Sequence, residues 1–119
     1  MSSTPTISYD EFAKLDIRIG TIVSAELVPE ADRLLRLEVM IGDVDEEGNT
    51  VPRQIVSGIR EFFPEPNVLI GRQCPFLINL EPRTIRGYVS QGMILAAGAD
   101  AYFSLLHPSH ELPHGTPLS

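Results

Sequence analysis

The stretch "LDIRIGTIVSAEL", Leu15–Leu27, decides how the rest of the chain is read. Leu15, Ile17, Ile19, Val23, Ala25 and Leu27 fall on one face of an extended segment, and Asp16, Arg18, Ser24 and Glu26 on the other. Gly20, in the middle, fits the bend or bulge by which a small barrel curls a strand. The segment is therefore expected to be a long, curved first strand. Immediately upstream, "SYDEFAKL" carries a capping-box pattern, with Ser8 as the cap, Glu11 three residues on, and Phe12 and Leu15 apolar. This predicts a short helix over residues 8–14.

Downstream, "VPEAD" is a turn. "RLLRLEVMIG" is a second strand, with Leu35, Leu37, Val39 and Ile41 inward and Arg36, Glu38 and Met40 outward. The acidic loop "DVDEEGNT" leads into a third strand, "VPRQIVSG", with Pro52 at its edge or start. "IREFFPEPNVLIGR" reads as an excursion with a helical turn and a Pro-rich corner. "QCPFLINL" is a fourth strand, and "IRGYVSQGMILAAG" contains a fifth. Short strands, Gly at the bends and an excursion only between strands three and four match a five-stranded Greek-key barrel, the OB-fold. The expected fold is all-β with short helices, in one domain over residues 1–119. It comprises the helix at 8–14, the barrel at 15–98 and a C-terminal extension at 99–119.

At 119 residues the chain has room for a single core. No apolar run approaches the roughly 18 residues of a membrane span, and the first residues lack the basic and hydrophobic regions of a leader. A cytoplasmic protein without membrane contacts is the expectation. Cys74 is the sole cysteine, which excludes an internal disulfide and a Cys-based zinc site. Nine Lys and Arg against sixteen Asp and Glu give a net charge of −7, which argues against a strong nonspecific polyanion binder. All the basic residues but Lys14 are Arg, however, and the planar guanidinium fork suits phosphates and base edges.

OB-folds meet ligands on the face of strands two and three and on the loops joining strands one to two and four to five. That rule gathers Arg33, Arg36, Arg53, Arg83 and Arg86 towards one side, with Asn79, Ser90 and Met93 beside them. Of the aromatic residues only Tyr88 is placed as a stacking platform, which favours a structured RNA over a long single strand. His107, His110 and His114 lie in a Pro-broken tail without a metal-ligand framework. Cys74 sits in an apolar strand as a buried thiol. No catalytic constellation, metal site or cofactor is expected.

"FAKLDIRIGTIVSAE", "ADRLLRLEV", "RQIVSGI", "NLEPRTIRG" and "SQGMILAAG", in that order, resemble the tRNA-binding domain found free-standing in bacteria and as the C-terminal appendix of methionyl-tRNA synthetases. "FSLLHPSHELPHGTPL" resembles the closing segment of that family. The resemblance implies an OB-fold without catalysis that binds the outside corner of L-shaped tRNA with little sequence preference. It also implies homodimerisation through the terminal extensions and a possible role beside an aminoacyl-tRNA synthetase. The family's binding positions fall on Asn79 and Arg83 of "NLxPR", on Arg86, and on Ser90 and Met93 of "SxGM", with Arg33 of "ADRL" as a further candidate. Two features depart from the family: the single lysine with net charge −7, and the long acidic segment before "RQIVSGI". Affinity from phosphate neutralisation scales with the number of contacts, so weak, salt-sensitive binding is expected. The competing expectation is a protein-binding module, resembling a secretion chaperone of the same fold.

Overall fold

Strand β1 (Ile17–Leu27) pairs antiparallel with β2 (Leu35–Met40) along its second half and with β4 (Gln73–Leu77) along its first half. This switch of partners is what a strand shared between the two sides of a barrel must make. In this computed structural model, residues 4–99 and 101–119 are described. The five-stranded sheet runs β3 (Arg53–Ser57), β2, β1, β4, β7 (Met93–Ile94). Two hairpins flank it, β5 (Arg83–Ile85) with β6 (Tyr88–Ser90) and β8 (Ala96–Ala99) with β9 (Tyr102–Leu105).

The alternation read along β1 breaks in the middle. A bulge between Ile22 and Ser24 shifts the register against β2, so Ile22 is fully buried while Val23 is 43% exposed. Leu15 and Leu27, expected inward, are also exposed. Gly20 is also required by close packing. A Cβ there would lie 2.5 Å from Val39 Cγ1 and 2.9 Å from Phe76 Cδ1, so its missing side chain lets β1 press onto the core. Along β2 the expected alternation holds, with Leu35, Leu37, Val39 and Ile41 buried. They pack with Ile22, Ile55, Leu69, Cys74 and Phe76 into one apolar cluster.

The excursion between β3 and β4 contains two 3-10 turns, Arg60–Phe62 and Pro66–Leu69, and Leu69 plugs into the core. The stretch expected to hold one fifth strand divides into three parts. Only β7 joins the main sheet, opposite Phe76 and Leu77; β5 and β6 form their own hairpin, and β8 turns back with β9. The division occurs at Gly92, whose φ is +145° and whose hypothetical Cβ would meet the Leu77 carbonyl oxygen at 2.9 Å.

Helix α1 spans Tyr9–Phe12, with both bonds of the Ser8–Glu11 capping box formed. The C-terminal segment is laid against the barrel. The Gly115 amide donates to the Ile19 carbonyl, the Ile19 amide to the Thr116 carbonyl and the Leu118 amide to the Ile17 carbonyl. Residues 115–118 thereby cover backbone at the start of β1 that would otherwise be an open edge.

Candidate nucleic-acid interface

The β5–β6 hairpin turns through Arg86 and Gly87, both at positive φ (+53° and +85°). Two left-handed residues in a two-residue loop make the twist-matched hairpin turn, where Asn-Gly or Asp-Gly is the usual choice. An arginine there is strained, and its side chain is exposed at the tip. Behind the tip, β6 is fastened to β3. Ser90 is buried, and its hydroxyl oxygen accepts from the Val56 amide at 2.9 Å and donates to the Gly92 carbonyl at 3.1 Å. Gln54 donates to the Val89 carbonyl at 2.9 Å.

The eight expected site residues fall into two groups. Asn79 is a fastener: its side-chain oxygen accepts from the Asp16 amide at 2.9 Å, and its nitrogen donates to the Lys14 carbonyl at 2.6 Å. It ties the entry of β1 to the exit of β4. Arg53 is half-buried and held by four hydrogen bonds. It makes a two-bond fork with Asp43 at 2.8 and 2.9 Å, and donates to the carbonyls of Ile78 and Gln91. Arg36 stands opposite Glu26 in the β1–β2 register, bonds it at 2.6 Å, and lies 5.6 Å from the centre of the Tyr88 ring. The bond to Glu26 holds the Arg36 pKa above its ordinary value. With Ser90, these residues build and brace the site from beneath.

Arg33, Arg83, Arg86 and Met93 are exposed. Three ion pairs occur among the described residues: Arg18–Asp16, Arg36–Glu26 and Arg53–Asp43. Arg60 and Arg72 are drawn onto backbone carbonyls. Arg33, Arg83 and Arg86 remain without an acidic or carbonyl partner among the described residues, and they stand on the β1–β2 loop and the β5–β6 hairpin.

Between these elements opens a groove of about 360 Å³. Leu34, Val56, Leu80, Ile85, Met93 and Ile94 form its apolar walls, while Glu81, Arg83, Ser57 and Ser90 add polar groups. The Arg33 carbonyl lies beside Gly58, on the same wall. Leu80 and Glu81, inside "NLEPR", also line the groove and are not among the expected site residues; an apolar Leu among the polar residues of that motif was the available signal.

At the far end of β4, His107 Nδ1 donates to the Gln73 carbonyl at 3.0 Å and lies 3.8 Å from Cys74 Sγ. Burial pushes the Cys74 thiol up to about 11, with Arg72 pulling weakly the other way. Such a thiol stays protonated at neutral pH. No cluster of three metal-ligating side chains occurs among the described residues, and no helix among them is long and apolar enough to cross a membrane.

Fold and groove together define an OB-type barrel with an open groove beside the β4–β5 segment, where Arg83 is among the lining residues while Arg33 and Arg86 are not. The family described as "Putative tRNA binding domain" matches residues 17–117, and the chain belongs to it. The methionine–tRNA ligase of Methanospirillum hungatei is 47% identical over 115 residues, covering 97% of this chain and 16% of that protein. That of Deinococcus radiodurans is 46% identical over 111 residues, covering 92% and 15%. The chain thus spans about one sixth of the length of these relatives. Among solved structures, a MetRS-related protein from Pyrococcus horikoshii superposes with TM-score 0.85 at 29% identity, covering 98% of this chain and 100% of that one. The chaperone CsaA from Bacillus anthracis superposes with TM-score 0.80 at 33% identity, covering 97% and 100%.

Proposed function

We propose that this chain is a non-catalytic module that binds structured tRNA, at the outside corner of the L-shape and with little sequence preference. One observation carries the reading: Arg33, Arg83 and Arg86 are exposed and have no internal partner among the described residues, and Arg83 lines the groove. The net charge of −7 keeps long-range attraction to a polyanion weak. Asp16, Glu26 and Asp43, however, pair with Arg18, Arg36 and Arg53, so among the described residues Arg33, Arg83 and Arg86 remain free to meet phosphates locally. The family membership and the ligase relatives support the same ligand. In this reading the module assists an aminoacyl-tRNA synthetase in trans. It acts as a homodimer joined through the terminal extensions, where Tyr9, Phe12 and Tyr102 are exposed.

Fluorescence anisotropy of labelled bulk tRNA, titrated across salt, tests the proposal. Three phosphate contacts predict a log–log salt slope of about −2 to −3 per protomer, with binding weakened and the slope reduced in each of Arg83→Ala and Arg86→Ala. Absence of binding at low salt refutes it. Light scattering at micromolar concentration checks the dimer. The likeness to a chaperone at 33% identity favours a second reading, in which the exposed apolar surface around Phe62 and Tyr102 engages unfolded clients. Suppression of client aggregation without tRNA binding would select that reading.

A further inference from the structure

The groove contains a residue that phosphate binding does not explain. Glu81 is an exposed carboxylate on its lip, two residues from Arg83, and has no ion-pair partner among the described residues. A sugar–phosphate backbone lying across the groove would be repelled there. The walls are apolar besides, with Leu80 and Met93 both exposed. Apolar faces beside a lone carboxylate suit a flat ligand that offers hydrogen-bond donors along one edge, and a nucleobase out of its stack is such a ligand. Among the bases, guanine places two adjacent donors, N1–H and the 2-amino group, on its Watson–Crick edge, matching the two oxygens of a carboxylate. Adenine and cytosine set an acceptor beside their single donor, and uracil flanks its donor with two carbonyls.

We propose that the groove receives one unpaired guanine of a structured RNA, with Glu81 accepting from its N1–H and 2-amino group. Leu80 and Met93 contact the ring, and Arg33 and Arg83 neutralise the flanking phosphates. This rests on the RNA reading above and adds to it a base-specific contact. The volume of about 360 Å³ accommodates one base with part of its ribose and excludes a duplex.

Three RNA hairpins of equal length test it: one fully paired, one with a single bulged guanine and one with a bulged adenine. Each is titrated by anisotropy with the unmodified protein and with Glu81→Gln, whose fold is checked by circular dichroism. The unmodified protein should favour the bulged guanine by about tenfold or more, as a two-bond base contact does. In Glu81→Gln that preference should collapse while the fully paired hairpin binds no more weakly, because a negative charge has been removed. Equal binding of all three hairpins, or a uniform strengthening in Glu81→Gln, overturns the guanine site and leaves the RNA reading standing. Failure to bind any hairpin removes both.

Discussion

Replacing Arg86 by Asn should make the protein more stable and a poorer RNA binder at once. Arg86 holds φ at +53° in the tip of the β5–β6 hairpin, next to Gly87 at +85°. The left-handed region costs an ordinary L-residue about 1–2 kcal/mol, and Asn, which bonds locally to its own backbone, recovers roughly half of that. The Arg86 side chain makes no hydrogen bond or ion pair among the described residues, so nothing internal is lost. A gain of about 0.5–1 kcal/mol corresponds to a Tm rise of roughly 2–5 °C in a domain of this size. Losing one phosphate contact should lower the salt slope of tRNA binding by about 0.7–0.9. Thermal melts and anisotropy titrations from 50 to about 200 mM salt read both effects. A drop in Tm would mean that Arg86 supports the fold. An unchanged salt slope would mean that its charge does not meet RNA, and the strained tip would lose its functional explanation.

Arg53→Met should behave oppositely, leaving Asp43 and two carbonyls unsatisfied; we expect a loss of about 2–3 kcal/mol in urea unfolding, with any loss of tRNA binding explained by that instability. Gly20→Ala should cost about 1–3 kcal/mol, because its Cβ would strike Val39 and Phe76; an unchanged melting temperature would contradict the close packing at β1. Cys74 should resist alkylation at pH 8 until the protein unfolds. Its thiol is pushed from 9.0 to about 11 in the folded state, so above pH 9 the unfolded chain binds fewer protons and stability falls as pH rises towards 11. A Cys74→Ala variant should lack this alkaline component, and an identical alkaline decline in both proteins would assign it to other groups.

Much of this molecule is legible one segment at a time. The β2 alternation, the Ser8–Glu11 capping box and the Pro-rich excursion depend on neighbours within a few residues, so periodicity and turn chemistry reveal them. The β1 bulge escaped because Ile22 and Val23 are equivalent as a sequence pattern; the register against β2 alone decides which of them turns inward. The fifth strand was blurred for a similar reason. The close approach of Gly92 to the Leu77 carbonyl divides that stretch; the glycine marks a bulge in the sequence, but the carbonyl it approaches lies fifteen residues away.

Most dependent on tertiary structure is the division among the arginines. In sequence, Arg36 and Arg53 are the same kind of residue as Arg33, Arg83 and Arg86, and the motifs bring all five towards one side. Pairing then separates them. The register sets Glu26 opposite Arg36, the β2–β3 turn brings Asp43 onto Arg53, and no acid reaches the other three among the described residues. The sequence by itself determined the barrel and the side on which a ligand is expected, since both follow from local pattern and strand order. Only the tertiary structure decided which charges are left to meet that ligand. A guanidinium's availability depends on what lies within about 4 Å of it, and for Arg36 and Arg53 those neighbours lie ten residues away along the chain.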